Sequence, residues 1–527
     1  MRTRPVNIGV RATCGALVSV SERDLLLGQP TAQTPCQARP CRLPCRDRPN
    51  RFNGSVYVTC SLRPTNAIPV HVAALVLATS FTATAQELSP TSAAAPPRAA
   101  QIVSPVTPPP TTPRVPIANR ANELLPGWLR VRGEFRERIE GFQSASFIDG
   151  RDDRYALTRL RLNVAVTPAR HFSAQVGLQD ARVANKEVGP TTAPFRGPFD
   201  LRTGFADIGD AKAPVALRLG RQELAFGEQR LLGHLAWVNT GRSWDAARIT
   251  MRAAMFQVDI FGASLVRSLP DEFDKSGNGN RLVGSYATTT KLLPQATVEP
   301  FLFWRRDVNL RSELSTVGDL SQTTTGVRVA GKLPARLDYG VEMALQRGSL
   351  DADTVSAWAG HWQLRASLSG KGAVRLTSEY NFATGDRNPT DGRRQTFDQL
   401  YPTGHDKLGL ADQVGWRNIH HLREGVELTP IKATPITVSY HTWWLASHTD
   451  GLYAANGGLL ARVPGGAAST HVGQEIDVQV SRALTPQIQI AAGYAHMVTG
   501  AFLREATPGA SYSHPYVMAT YVFLAER

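Results

Sequence analysis

Trp128-Leu129-Arg130-Val131-Arg132-Gly133-Glu134-Phe135-Arg136-Glu137-Arg138-Ile139-Glu140 is the stretch whose reading decides the fold. Successive side chains of a strand point to opposite faces. Leu129, Val131, Gly133 and Phe135 therefore share one face, and Arg130, Arg132, Glu134, Arg136 and Arg138 share the other. A water-soluble barrel turns its charged face outward. A barrel in an outer membrane turns the apolar face to lipid and the charges to a wet lumen.

The same alternation recurs downstream. Ala156, Thr158, Leu160, Leu162, Val164 and Val166 oppose Arg159, Arg161 and Asn163. Val327, Val329 and Leu333 oppose Arg328 and Lys332, and Leu337, Tyr339, Val341, Met343 and Leu345 oppose Asp338, Glu342 and Gln346. Trp358, Trp362, Leu364, Ala366 and Leu368 oppose His361, Gln363 and Arg365; Ile476, Val478 and Val480 oppose Glu475, Asp477 and Gln479. Short Pro-bearing turns (Thr167–Arg170, Leu333–Arg336, Leu484–Pro486) alternate with long polar stretches at Ser268–Asn280, Ala383–Asn418 and Ser447–Thr470. Short turns at one end and long loops at the other are the asymmetry of outer-membrane barrels. Trp128, Trp304, Tyr380, Trp443, Trp444, Tyr521 and Phe523 are placed as aromatic girdle residues at the two membrane interfaces. A closed barrel also leaves no strand edge to aggregate, which a secreted two-sheet sandwich would. The predicted fold is all-β: a single-chain transmembrane β-barrel of antiparallel strands over residues 121–527.

The chain has 527 residues and a formal charge of +14. Residues 1–85 hold ten Arg and three acidic residues, a net of +7, and the remainder supplies the other +7 with charges of both signs throughout. That is no concentrated basic patch, so nucleic acid is not an expected partner. No run approaches ~18 apolar residues, so transmembrane helices are not expected. All five cysteines (Cys14, Cys36, Cys41, Cys45, Cys60) lie in the first 60 residues, which contain no His. Their spacing matches no strong zinc pattern, and a cysteine-free body suits export through an oxidising compartment.

Ala67–Phe81 (AIPVHVAALVLATSF) reads as the apolar core of a secretory signal, with Arg63 before it and Ala83-Thr84-Ala85 as a small-residue cleavage site. Residues 61–85 are read as the signal peptide and 1–60 as a misassigned or disordered leader, with the true start downstream of Met1. Residues 86–120, rich in Pro, Ala and Thr, are read as a linker.

Arginine forks suit carboxylates. The lumen-face candidates are Arg130, Arg132, Arg136, Arg159, Arg161, Arg218, Arg305, Arg328, Lys332, Arg365 and Arg375, with Glu134, Glu342, Glu379, Glu475 and Asp477 on the same face. Either these charges line an anion path, or they neutralise one another inside a filled barrel. No nucleophile elbow, phosphate loop or HExxH occurs, so enzymatic activity, a cofactor and a metal are not expected. Asp386–Gly392 fails the EF-hand pattern. His405, Asp406, His420 and His421 read as loop residues rather than ligands, because no ligand spacing recurs.

Gly220-Arg221-Gln222-Glu223-Leu224-Ala225-Phe226-Gly227-Glu228-Gln229-Arg230, with Trp237-Val238-Asn239 and Arg242-Ser243-Trp244-Asp245-Ala246 after it, resembles the alginate-export family of outer-membrane porins. Arg132–Arg136, Asp180–Arg182, Ser378–Tyr380 with Gly385-Asp386, Phe397–His405, Trp416–Asn418 and Gly473–Asp477 extend the resemblance over roughly 120–523. The resemblance implies about 18 strands, a monomer in a Gram-negative outer membrane, an electropositive constriction and loops that gate it. It implies an anionic polysaccharide as cargo, exported, or else uptake of small organic acids or aromatic compounds. An enzyme or adhesin on a plugged barrel is the remaining alternative. Lipid and the barrel-insertion machinery are expected partners. Tyr521-Val522-Phe523, followed by Leu524-Ala525-Glu526-Arg527, departs from the terminal aromatic such barrels offer that machinery. Gly220, Arg221, Gln222, Glu223, Phe226, Gly227, Arg230, Trp237, Asn239 and Asp245 are the motif residues, with barrel architecture as their alternative role.

Overall fold

In Leu129–Phe142 (β1), Phe135 and Ile139 stand open on the outer surface, whereas Arg136, Arg138 and Glu140 are buried. The inside-out order required for lipid therefore holds in the strand that first suggested it. The computed structural model describes residues 120–523 apart from residues 211, 278, 313–314 and 369–373. The expected leader, signal peptide, most of the linker, the cysteines and Leu524–Arg527 lie outside the described residues.

A short helix α1 (Arg120–Leu124) precedes β1. Its Asn122 exchanges side-chain hydrogen bonds with the Val131 N–H and C=O, at 3.0 and 2.6 Å. Seventeen long strands follow: β2 (Asp153–Ala169), β3 (Phe172–Ala184), β4 (Gly197–Ile208), β5 (Val215–Gln222), β6 (Trp244–Arg252), β7 (Gln257–Arg267), β8 (Arg281–Thr288) and β9 (Ala296–Arg311). They continue as β10 (Val317–Leu333), β11 (Leu337–Leu350), β12 (Asp353–Ser367), β13 (Val374–Ala383), β14 (Ile419–Ile431), β15 (Thr434–Leu445), β16 (His471–Ala483), β17 (Ile488–Thr499) and β18 (Tyr512–Phe523). Helix α2 (Ala501–Ala506) sits between β17 and β18.

Each strand pairs antiparallel with the next, and β1 pairs both with β2, from Leu129↔Val166 to Phe142↔Asp153, and with β18, from Gly133↔Phe523 to Glu140↔Tyr516. The sheet is thus a closed barrel of 18 antiparallel strands. Closure matters in lipid, because an unpaired backbone edge would have no water to bond. At the seam Phe523 lies over Gly133, where a Cβ would meet the ring at 2.0 Å; only glycine leaves that room.

The outer surface carries Leu160, Val176, Ile249, Ile260, Leu302, Met343, Leu345, Leu364, Val438, Ile476 and Val517, all substantially exposed. Trp128, Trp304, Tyr380, Trp444 and Tyr521 face outward as expected of girdle residues. Trp443 does not. It is fully buried on the inner face, its ring parallel to His421 and His441 at 5.8 and 5.9 Å, because the odd positions of β15 point into the lumen.

Connections at the turn end, where the chain enters β1 and leaves β18, are short throughout. At the other end lie the long segments 185–196, 223–243, 268–280, 384–418 and 446–470. Two connections there, 312–316 and 351–352, are as short as turns, so the expected asymmetry holds for most of the rim and fails at the β9–β12 sector. The buried core is inside the barrel: Phe147, Leu224, Phe226, Leu231, Leu232, Phe397, Leu410, Val414, Trp416 and Leu452 come from loops and pack against inward wall residues such as Phe261, Tyr286, Phe301, Phe303 and Trp443.

Candidate functional site

Loop 223–243 leaves β5 and crosses the lumen. The motif residues of the sequence build it. Gly220 has φ +120°, and a Cβ there would lie 2.3 Å from the Gly204 carbonyl. Gln222 is fully buried, with Nε2 donating to the Ala246 and Gly220 carbonyls at 3.0 and 3.2 Å. The Glu223 carboxylate accepts from Arg202 of β4 at 2.7 Å. Phe226 stacks on Tyr286 and Phe261 of the wall, ring centres 4.8 and 5.4 Å away. Gly227 follows with φ +53°, where a Cβ would meet the Tyr286 hydroxyl at 2.7 Å and Arg328 at 3.1 Å. Only glycine lets the chain turn that close to the wall.

Beyond the turn, Glu228 accepts from Arg328 of β10 at 2.9 Å, and Arg230 donates to Glu379 of β13 at 2.8 Å. Burial alone would raise the Glu228 carboxyl. Arg230 and Arg328 beside it overcome that and hold it well below the usual carboxylate range. Trp237 is covered on one face by the Arg138 guanidinium, 3.8 Å from the ring centre, and stacks at 3.8 Å on His405. The Asn239 side-chain amide lies 3.1, 2.9 and 3.0 Å from the carbonyls of Thr158, Arg182 and Phe195. The loop therefore spans from the β1–β4 wall to the β10–β13 wall.

Arg221 and Asp245 do something different. They form an ion pair at 2.8 Å between β5 and β6 on the outer-face register with Leu219 and Ala247. Arg221 also donates to the Asp274 carbonyl at 3.2 Å, and Ser276 donates to Asp245, so the pair ties down loop 268–280.

The β1–β4 wall concentrates cation. Arg136 donates to the Ala236 and Val238 carbonyls at 3.0 and 3.3 Å, Arg159 to the same two at 3.1 and 3.2 Å, and Arg138 to the Trp237 carbonyl at 2.6 Å. Arg161 takes the Gln179 side-chain oxygen at 2.7 Å. Arg242, from the loop itself, donates to the Gly233 and Pro402 carbonyls at 3.0 and 3.1 Å; burial pushes it down to about 10. Against these five and Arg202 stand three paired carboxylates: Glu134 on Arg159 at 2.5 Å, Glu140 on Arg138 at 2.5 Å, and Glu223 on Arg202. The sector carries more guanidinium than carboxylate. Several donors also remain unmatched while buried: Arg136 Nε, Arg159 Nε, Arg161 Nη2 and Arg202 Nε.

Loop 384–418 also folds into the lumen. The Asp398 carboxylate accepts from Arg305 of β9, which also holds Asp307, and the Asp398 N–H donates to Gln346 of β11 at 2.8 Å. On the far wall the Leu410 N–H donates to Asp477 at 3.0 Å and the Ala411 N–H to Glu475 at 3.2 Å. The two loops meet at the Leu232–Tyr401 bridge. Between them a water-sized void of about 10 Å³ is lined by Arg230, Lys407, Leu408 and Trp416. Burial, with Arg230 as like charge, pushes the Lys407 ammonium down to about 8.

The structure sorts the lumen-face candidates into three groups. Arg136, Arg159, Arg161, Arg305, Arg328, Glu134, Glu342, Glu379, Glu475 and Asp477 are gathered at the level of the two loops. Arg328 sits between Glu228 and Glu299, and Glu342 is buried on the same wall. Arg218 pairs with Asp207 at 2.7 Å over the Phe205 ring, and Arg375 pairs with Glu427 at 3.4 Å, both nearer the turn end. Arg130 bonds the Pro126 and Leu129 carbonyls at the turn-end rim, while Arg132, Lys332 and Arg365 make no ion pair among the described residues. Arg138, Arg202, Arg242 and Lys407 were not among the candidates. Arg138 continues the alternation of β1. Arg202 is displaced in phase by a bulge at Gly177/Leu178, and the loop cations carry no period. His405, His420 and His421 are apart: His420 faces outward to the Tyr380 hydroxyl, His421 bonds His441 inside, and His405 bonds Asp412. Among the described residues no group of three or more acidic, His or Cys side chains is arranged to hold a metal.

A lipid-facing barrel of 18 strands with charged loops folded into its lumen is an outer-membrane channel. The family model described as alginate export matches residues 127–517, and the chain belongs to the alginate export family. No curated protein matches the chain. Among solved structures it is similar to Pseudomonas aeruginosa OccD3 (OpdP), at 12% identity over 75% of this chain and 91% of that one, TM-score 0.51. It is likewise similar to P. aeruginosa OccK2 (OpdF) in complex with glucuronate, at 8% identity over 75% and 96%, TM-score 0.51. At such identities the likeness is one of fold.

Proposed function

We propose that this protein passes an acidic polysaccharide of the alginate type across the outer membrane, along the β1–β4 wall. The observation that carries this reading is the guanidinium excess around 236–242: six arginines against three ion-paired carboxylates, and buried N–H donors without acceptors. Buried cation in excess of its partners is costly unless an anion is expected there. A uronate chain offers one carboxylate per sugar, and arginine forks receive each one without holding it irreversibly in a wet lumen. Arg132, Lys332 and Arg365 would gather the polymer at the turn end. The chain acts alone as a monomer in this reading.

Uptake of a small organic acid is the second reading. It is favoured by the fold neighbour OccK2, whose structure holds glucuronate, a single uronate. One experiment separates the two. Oligouronates of increasing length are added to the purified barrel in a planar bilayer and the block of current is recorded. Export of a polymer predicts affinity that rises with length and falls in R136Q/R159Q. Affinity that is flat with length assigns the channel to monomers, and affinity unchanged by R136Q/R159Q removes this wall from the path.

A further inference from the structure

Three wall arginines on three separate strands take their acid partner from an inward loop. Arg202 of β4 holds Glu223 at 2.7 Å, Arg328 of β10 holds Glu228 at 2.9 Å, and Arg305 of β9 holds Asp398. Glu223 and Glu228 come from loop 223–243, and Asp398 from loop 384–418. Where the loops supply no carboxylate, they supply carbonyl oxygens to Arg136, Arg138 and Arg159. The three carboxylates are acceptors of the kind an acidic polymer would bring.

We infer that the loop carboxylates Glu223, Glu228 and Asp398 are built-in stand-ins for the carboxylates of the cargo, and that the lumen opens by exchange of one set for the other. This rests on the reading of the cargo as anionic and deepens it by assigning the gate. The geometry supports exchange rather than simple blockage. Arg328 and Arg305 each keep a wall carboxylate, Glu299 and Asp307, so neither is left as a bare buried charge when its loop partner departs. Wall positions hold loop 384–418 through its backbone: Gln346 accepts from the Asp398 N–H and donates to its carbonyl, and Asp477 and Glu475 accept from the Leu410 and Ala411 N–H groups, contacts that can re-form on closing. A cargo carboxylate at one arginine frees one loop contact, and its neighbour along the polymer then finds the next loop contact weakened. A monomer frees one contact only.

The test compares E228Q/D398N with R305Q/R328Q in the full barrel, reading both open probability and reversal potential in a salt gradient. The loop variant keeps the wall cations and loses their internal partners. It is expected to raise resting open probability by roughly tenfold with anion preference retained. The wall variant is expected to open as readily and to show a weaker anion preference, the remainder being carried by the β1–β4 wall. Resting open probability unchanged in E228Q/D398N overturns the gate assignment. A natural barrel that prefers cations overturns the anion reading instead, so the two failures are distinct. A second measurement needs no variant: hydrogen exchange at the Leu410 and Ala411 amides of the natural protein should quicken with an added uronate oligomer and not with a neutral oligosaccharide of equal length. Equal exchange in both also overturns the assignment.

Discussion

Gly227 is where loop 223–243 turns toward the wall, and it shows what the sequence motif is for. At φ +53°, with Tyr286 and Arg328 against the position of a Cβ, alanine is strained in the backbone and crowded by two neighbours. G227A is expected to weaken docking of the loop by about 1–3 kcal/mol, leaving the wall strands intact. Limited proteolysis would show it as faster cleavage within 223–243 with unchanged thermal unfolding of the barrel. Lys407 makes the pH dependence. Its folded value is lowered to about 8, so the docked loop binds fewer protons than a free lysine would, and docking strengthens as pH rises from about 8 toward the ordinary lysine range. Below that window Lys407 is charged docked or free and adds no slope. The lumen also loses a positive charge on crossing about 8. Anion preference is expected to fall with a midpoint near there, and to lose that step in K407M, which keeps the length of the chain; a K407M step at the same pH would assign the titration elsewhere. The arginines of β1 and β2 were legible because a strand's period is two. Trp443 departs from its expected place for a related reason: Trp443 and Trp444 are adjacent, so only one of them can face lipid, and it is Trp444. Arg202 was hidden by the bulge beside it, and Arg242 and Lys407 by the absence of any period in a loop.

At the scale of elements, the strands and most turns could be read from alternation and proline, but the direction in which the loops fold could not. Segment 223–243 carries a motif but no alternation that marks it as a connection. The usable signal was its apolar content: Leu224, Phe226, Leu231 and Leu232 lie between two strands, match neither face, and must be buried somewhere. Phe397, Leu408, Leu410, Val414 and Trp416 repeat the pattern in 384–418. Inward-folded loops that carry their own apolar residues dock as modules on a wall whose backbone bonds are already complete. Replacing 398–414 by a short Gly-Ser linker is therefore expected to keep a folded, detergent-resistant barrel while raising single-channel conductance several-fold. Loss of the barrel in that variant would make loop 384–418 part of the folding core rather than a removable obstruction.

For the whole molecule, two facts place it: the outer face is apolar around a closed ring of 18 strands, and the inner face is a charged lumen crossed by its own loops. The first was readable from the thirteen residues Trp128–Glu140 and their echoes, since a sheet with one apolar face and arginine on the other has few solutions. The second was half readable. Sequence alternation predicted a charged lumen and left open whether those charges neutralise each other or face a cargo. The structure places half of the candidates in ion pairs, three of them (Arg305, Arg328 and Glu379) with loop groups, and concentrates unmatched guanidinium donors on the β1–β4 side. The central claim is that this wall selects anions. Its most direct test is the zero-current potential of the purified natural barrel in a planar bilayer under a potassium chloride gradient. The account predicts a potential of the sign set by chloride, reduced in R136Q/R159Q; a potential of the sign set by potassium, or one indifferent to those substitutions, would contradict it.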